Sequence, residues 1–311
     1  MSSRGASASP AADRRLRGYA EVAVASLANG AIGVMVSAAA MPVTMLLVLR
    51  MAFAAAALAV VLAVTRGWRD LARPGVWPRL AGISAALTLN LLCYFLAIRA
   101  TGVAVAIFLS YLAPVYLAAV APRLLGERTE RVVWAALAVG LAGMGLILVP
   151  GLLLEGARLS AGGLLFAWLA GVMYAVYLLF AKSLRARGVR STAVVTVQSA
   201  VVAAVLLAPG FLSVGRAGYA WSGRDVLLGA LLGLLTTAFS FSVFMDGLHY
   251  VRVQHASIIA YLEPVSAPLY ALALLGQRPS AWTVAGGALI VAAGILVVTR
   301  SREEAGLEPL G

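Results

Sequence analysis

Charge is the scarcest ingredient of this sequence: Asp, Glu, Lys and Arg make up 12% of its 311 residues, against 62% for the apolar set. A single soluble core could not bury that much apolar surface, so the composition reads as a polytopic membrane protein. Cysteine occurs once, as Cys93 inside an apolar run, which excludes an intramolecular disulfide. There is no G-x-x-x-x-G-K-[ST] phosphate loop, which argues against direct ATP drive by this chain, and neither H-E-x-x-H nor G-x-S-x-G occurs. Both histidines, His249 and His255, fall near a predicted interface, so no Ser–His pair is set for an intramembrane hydrolase. No enzyme, cofactor or metal site is expected. Asp246, His249, Arg252 and His255 are explained more simply as a short loop at a membrane surface than as metal ligands.

What the sequence has instead is a series of long apolar runs. Crossing about 30 Å of hydrocarbon takes about 20 helical residues, and ten runs of that kind occur, over 19–37, 42–65, 79–98, 102–122, 131–149, 160–182, 191–212, 225–247, 253–275 and 281–299. Their length and continuity specify helices, because barrel strands would alternate every second residue. The net charge of +12 is spread over short loops and so reads as a topology signal, with no basic domain for nucleic acid. Placing the N-terminus in the cytoplasm leaves 18 Lys and Arg inside against 5 outside, with Arg50 within the second run, and puts both termini in the cytoplasm. The expected location is the cytoplasmic membrane. Residues 1–17 carry no short apolar stretch, so the first run is expected to be its own insertion signal.

The chain is also written twice. Offset by 150 positions, "YLAPV" at Tyr111–Val115 falls on "YLEPV" at Tyr261–Val265, and "LLGER" falls on "LLGQR"; 13 of 43 positions between 107 and 149 are identical without a gap. The shared Tyr, Pro and Gly-x-Arg positions carry this argument, since Ala and Leu match by composition alone. Five runs per copy is an odd number, so the copies enter the membrane in opposite senses. The expected architecture is an all-α membrane protein of ten transmembrane helices in two inverted five-helix repeats, 18–150 and 151–300, with cytoplasmic tails 1–17 and 301–311. Inverted repeats mark alternating-access carriers, with the substrate site at the repeat interface near the midplane.

These paired segments, "SYLAPV…LLGER" and "AYLEPV…LLGQR", together with "LRMAFAA" around Arg50, resemble the EamA-like branch of the drug/metabolite transporter superfamily. The resemblance runs from about residue 19 to 299. It implies two pseudo-symmetric halves around a central cavity and the movement of small metabolites, often outward. The copies depart from each other where Ala113 faces Glu263 and where Glu127 faces Gln277.

The departures direct attention to charge. A charge at the centre of a span costs about 2.5–3.5 kcal/mol on insertion scales, so Glu263 and Arg50 need a partner or water. Glu263 reads as a substrate-amine ligand, a proton-coupling carboxylate, or a structural group bonding freed backbone N–H groups. Arg50 reads as a partner for a substrate carboxylate or for Glu263, or as a tether to helix C-terminal carbonyls. Pro114 and Pro264 lie at matching places in the fourth and ninth runs, where each removes an N–H and kinks the helix, a gating or hinge role. Asn90 and Tyr94 lie at i and i+4, with Ser240 and Phe244 as their mates, and either line a cavity or bond helix to helix. Tyr111 and Tyr261 are candidate aromatic contacts for substrate, and Trp168, Tyr174 and Tyr177 either contact substrate or serve core packing or face lipid.

The expected function is a secondary carrier that moves a small metabolite by alternating access, amino acids or their derivatives first and export more than import. Organic-cation efflux and the flipping of a lipid-linked substrate are the alternatives. The expected partners are that substrate and membrane lipids, with proton coupling one of the readings of Glu263. Monomer and homodimer are both compatible with the sequence.

Overall fold

A computed structural model describes residues 10–155 and 160–305 of the chain. Arg4 and Arg158, counted above for topology, and the remaining tail residues lie outside them. Among the described residues ten helices are long and apolar enough to cross a membrane: Asp13–Ser37, Val43–Val64, Val76–Thr101, Val103–Leu125, Arg131–Leu148, Ala161–Ala186, Ser191–Ala217, Gly223–Tyr250, Val253–Leu275 and Ala281–Arg300. Here they are numbered as spans one to ten. Each coincides with an expected run. Several continue past its apolar part, because Arg79, Lys182 and Arg185 are good helix formers and the ladder of backbone bonds does not stop where hydropathy falls.

The packing has an internal order. The third span lies along the sixth and the first along the eighth; the second packs on the seventh and the fifth on the tenth; the fourth meets the sixth as the ninth meets the first. Replacing every span by the one five places along maps this set onto itself. That is the pairing a twofold axis between the two halves would produce. Large apolar side chains such as Val64, Leu165, Leu269 and Ile295 point outward, as a hydrocarbon solvent allows.

The fourth and ninth spans are each broken in two. The fourth runs as Val103–Ser110 and Ala113–Leu125, the ninth as Val253–Ile259 and Leu262–Leu275. The sequence predicts a kink at each proline. The structure instead interrupts the helix just before it, so Pro114 and Pro264 fall in the first turn of the second piece. A proline is tolerated there, because that N–H has no intrahelical acceptor. The interruptions are therefore a duplicated stop and restart.

A glycine on a neighbouring span lies beside each broken span. A Cβ on Gly171 of the sixth span would sit 2.8 Å from Leu109 O and 3.2 Å from Ser110 O. On the first span, which has its own unduplicated break between Asn29 and Ala31, a Cβ on Gly30 would sit 2.0 Å from Ser266 Oγ and 2.8 Å from Ala267 N. Between the fifth and tenth spans, Gly143 and Gly286 would each press a Cβ into the other's carbonyl, at 2.6 and 2.3 Å. These contacts bring backbones together where there is no hydrophobic effect to drive association.

Overpacking of this kind costs about 1–3 kcal/mol. Gly30→Val is expected to lower the melting temperature of the detergent-solubilised protein by several degrees, whereas Gly33→Val, with nothing within 4 Å of its Cβ, is expected to leave it nearly unchanged. Equal melting of the two variants would remove Gly30 from the contact.

Candidate functional site

Glu263 opens the second piece of the ninth span, in the first helical turn after the break. That position is favourable for an anion, since the unsatisfied N–H groups of a helix start carry partial positive charge. Among the described residues its carboxylate has neither a hydrogen bond nor an ion pair, and the side chain is partly accessible though far from either end of the span. Arg50, Tyr94, Tyr111 and Tyr174, from the second, third, fourth and sixth spans, lie within electrostatic range of it.

Tyr111 and Tyr261, mates in the 150-residue register, meet across the two breaks. The Tyr261 hydroxyl donates to Tyr111 O at 2.7 Å and the rings lie 5.8 Å apart. That carbonyl belongs to the interrupted stretch of the fourth span. The bond gives it a partner in place of water and joins the halves at their breaks. Tyr261 is 1% exposed and so works as a joint, while Tyr111 is partly accessible.

Arg50 has a different situation. Its Nε donates to Thr237 Oγ1 at 2.8 Å and its Nη2 to Thr236 O at 3.4 Å, and the guanidinium lies 5.7 Å from the centre of the Phe241 ring. It forms no ion pair with Glu263 among the described residues, and it is tethered to a carbonyl in mid-span, where the sequence suggests a helix C-terminus. The acceptors lie in Leu232–Phe239, a stretch of π-helix in the eighth span. Such a widened turn disturbs the regular ladder, and Arg50 satisfies a carbonyl within it. Gly233 permits the approach, since its Cβ would meet Arg50 O at 2.4 Å. The Thr236–Thr237 pair was not singled out from sequence; two adjacent hydroxyl residues in mid-span were the available signal.

The remaining candidates divide. Tyr174 and Tyr177 stack at 5.9 Å with a 9° interplanar angle, and Tyr177 tilts against Phe241, which connects the surroundings of Glu263 to those of Arg50. Gln198, which the sequence reading also passed over, is fully buried, donates to the Tyr177 hydroxyl at 3.4 Å, and leaves its own Oε1 without a partner. Asn90 donates to Ala170 O at 2.8 Å and so binds the third span to the sixth. Tyr94, four residues on, is partly accessible and packs against the cluster of Ala97, Ala106 and Ala167.

Two assignments need correction. Trp168 is 45% exposed on the same outward face as Leu165, three residues earlier, because the inward face of the sixth span is taken by Ala167, Ala170 and Gly171. Ser240 is fully buried and donates its hydroxyl to Leu235 O at 2.9 Å, a bond made available by the π-helical turn. Neither faces Glu263. Ser266 and Glu263 share a face as their spacing predicts, but the Ser266 hydroxyl lies 3.0 Å from both Glu263 O and Leu27 O and ties the ninth span to the first.

The profile of the EamA-like transporter family matches residues 16–149 and 161–300, one match per half. An uncharacterized transporter of Archaeoglobus fulgidus is 35% identical over 232 residues, 75% of this chain and 79% of that protein. The threonine/homoserine exporter RhtA of Escherichia coli K12 is 25% identical over 217 residues, 70% of each chain. A crystal structure aligns with 93% of this chain and 99% of its own at a TM-score of 0.77 and 22% identity, a likeness of fold alone.

A tether and a substrate ligand respond differently to mutation. Thr237→Val leaves the Arg50 Nε–H without its acceptor, a loss of about 1–3 kcal/mol. A clearly lowered melting temperature with substrate affinity changed less than about twofold is expected from thermal and binding titrations; lost affinity at unchanged stability would return Arg50 to the substrate.

Proposed function

The chain belongs to the EamA-like transporter family, a branch of the drug/metabolite transporter superfamily, and from that premise we propose that it is a secondary carrier exporting amino acids or close derivatives by alternating access. The observation that carries the reading is the partnerless Glu263 carboxylate in mid-span, beside a break present in both halves. An intramembrane carboxylate is costly to keep unless a cation occupies or visits it. An ammonium group meets that need, and Tyr94, Tyr111 and Tyr174 offer ring faces and hydroxyls to hold what is attached. The name of the Escherichia coli relative adds amino-acid export as the first solute class to try.

Alternating access follows from the duplication. If the halves are inverted copies, each conformation open to one side has a counterpart open to the other, and the interrupted fourth and ninth spans are where the helices bend between them. Breaks already present in the ladder cost little further backbone bonding to flex. The carrier is read as lying in the cytoplasmic membrane with both termini in the cytoplasm, from the distribution of Arg and Lys. Glu263 is read as the proton-coupling site as well, proton and substrate cation competing for one carboxylate.

A second reading, efflux of organic cations, is favoured by one specific observation: Arg50 is tethered to the eighth span, which leaves the site with an anion and aromatic faces but no free cation for a substrate carboxylate.

The test is counterflow in proteoliposomes. Preloaded with unlabelled threonine and homoserine, wild type is expected to accumulate labelled threonine saturably, and Glu263→Ala to show at least a tenfold loss, since a buried charge contact is worth about 2–5 kcal/mol. Accumulation of a labelled quaternary ammonium compound in place of threonine would select the second reading, and neither would overturn both. For coupling, Glu263→Gln is expected to keep exchange yet lose uptake driven by an imposed pH gradient; gradient-driven uptake at the wild-type rate would take the proton away from Glu263.

A further inference from the structure

The sequence contains one lysine, Lys182, near the end of the sixth span on the side that carries the termini. Its ammonium has three protons and three acceptors. It pairs with Glu127 Oε1 at 3.2 Å and donates to Leu248 O at 2.7 Å and Val251 O at 2.5 Å, the last carbonyls of the eighth span and its exit turn. Glu127 lies in the segment between the fourth and fifth spans, and its other oxygen accepts from Val253 N, the first N–H of the ninth span, at 2.8 Å. One carboxylate thus holds together the first half, the sixth span and the start of the ninth.

Neighbouring residues continue the seam. Gln254 donates to Thr129 Oγ1 at 3.1 Å, Thr129 donates to Ala118 O at 2.7 Å, and Arg252 pairs with Glu130. Glu127 and Lys182 have side chains only 13% and 17% exposed, so the pair is screened from water more than a surface ion pair is. Segment 127–130 of one half is bonded along 252–254 of the other.

The opposite end of the bundle has the matching segments but not the same chemistry. In the 150-residue register Glu127, Thr129 and Glu130 become Gln277, Pro279 and Ser280, and Arg252, Gln254 and Lys182 become Gly102, Ala104 and Ile32. Each residue of the seam is replaced. Gln277 is exposed, and among the described residues no hydrogen bond or ion pair joins 277–280 to 102–104.

From this asymmetry we infer that Glu127 and Lys182 form a latch that closes the end of the carrier carrying the termini, and that the matching segments at the opposite end form no counterpart to it. This rests on the carrier reading above. Asp225 joins the halves at that opposite end by accepting from Ala40 N at 3.3 Å, but among the described residues no bond there links the fourth, sixth and ninth spans' counterparts as the latch does. The latch biases the protein toward the conformation closed at the termini. Substrate is then taken up from that side only when the latch parts, and leaves by the other end without a second latch of this kind to break. A bias of this kind sets direction without contact to substrate.

The experiment uses the full chain with Cys93→Ala and a reporter, Ser257→Cys, at a position 1% exposed and one turn behind the seam. An impermeant maleimide is applied from the side of the termini. Labelling is expected to be slow in this background and to rise at least about fivefold in Glu127→Gln and in Lys182→Gln, as the latch-open population grows. Two variants acting through one contact keep the test alive if either fails to elute as a single species. Unchanged labelling in a folded variant overturns the latch. Counterflow on the same samples separates the two readings: wild-type reporter labelling that rises in both variants while no solute moves leaves the latch and removes the carrier, whereas transport with unaltered labelling does the reverse.

Discussion

A backbone carbonyl or N–H in hydrocarbon must find its partner inside the protein, and that constraint governs the arrangement of the two interrupted spans. Breaking the fourth and ninth helices frees polar groups at a depth where no water is assured. Gly171 comes close to the exposed carbonyls of the fourth span, Tyr261 donates to Tyr111 O, and Ser266 reaches Leu27 O on the first. Each of these contacts joins a broken span to a neighbour, and the Tyr261 bond also satisfies a carbonyl freed by a break.

The two intramembrane charges solve the same problem in opposite ways. Arg50, with five donors in a planar fork, is given a threonine hydroxyl, a π-helical carbonyl and an aromatic face, and it serves packing. Glu263 is given surroundings that let it remain reachable: tyrosines within range of its field and no bound counter-ion from the chain. Local structure explains the difference. The π-turn of the eighth span creates an acceptor that calls for a donor, while a helix start after a break already supplies partial positive charge to an anion.

Much of this was legible in the sequence, and the limits were physical. All ten spans could be read because hydropathy responds to the solvent, which is uniform. The duplicated break was legible because tyrosine and proline at a fixed offset do not arise from apolar composition. What could not be read is which face of a span looks inward. Trp168 and Ser240 were placed in the site because they are aromatic or polar in mid-span, yet small residues on the sixth span turn Trp168 outward and an irregular turn consumes Ser240. Lys182 and Glu127 were visible only as a topology charge and as a departure between the copies; their meeting depends on how the loops fold over the bundle end. Sequence spacing assigns neighbours along one helix, not across five.

The claim on which the functional account rests is that Glu263, in mid-span, is reachable and has no hydrogen-bond or ion-pair partner among the described residues. It can be tested without knowing the substrate, by treating the purified protein with an apolar carbodiimide and locating modified carboxylates by peptide mass spectrometry. The account predicts modification at Glu263 well above that at Glu127 and Glu130, which are held by Lys182 and Arg252, and protection of Glu263 by a solute the protein carries. An unmodified Glu263 beside modified Glu127 and Glu130 would contradict it.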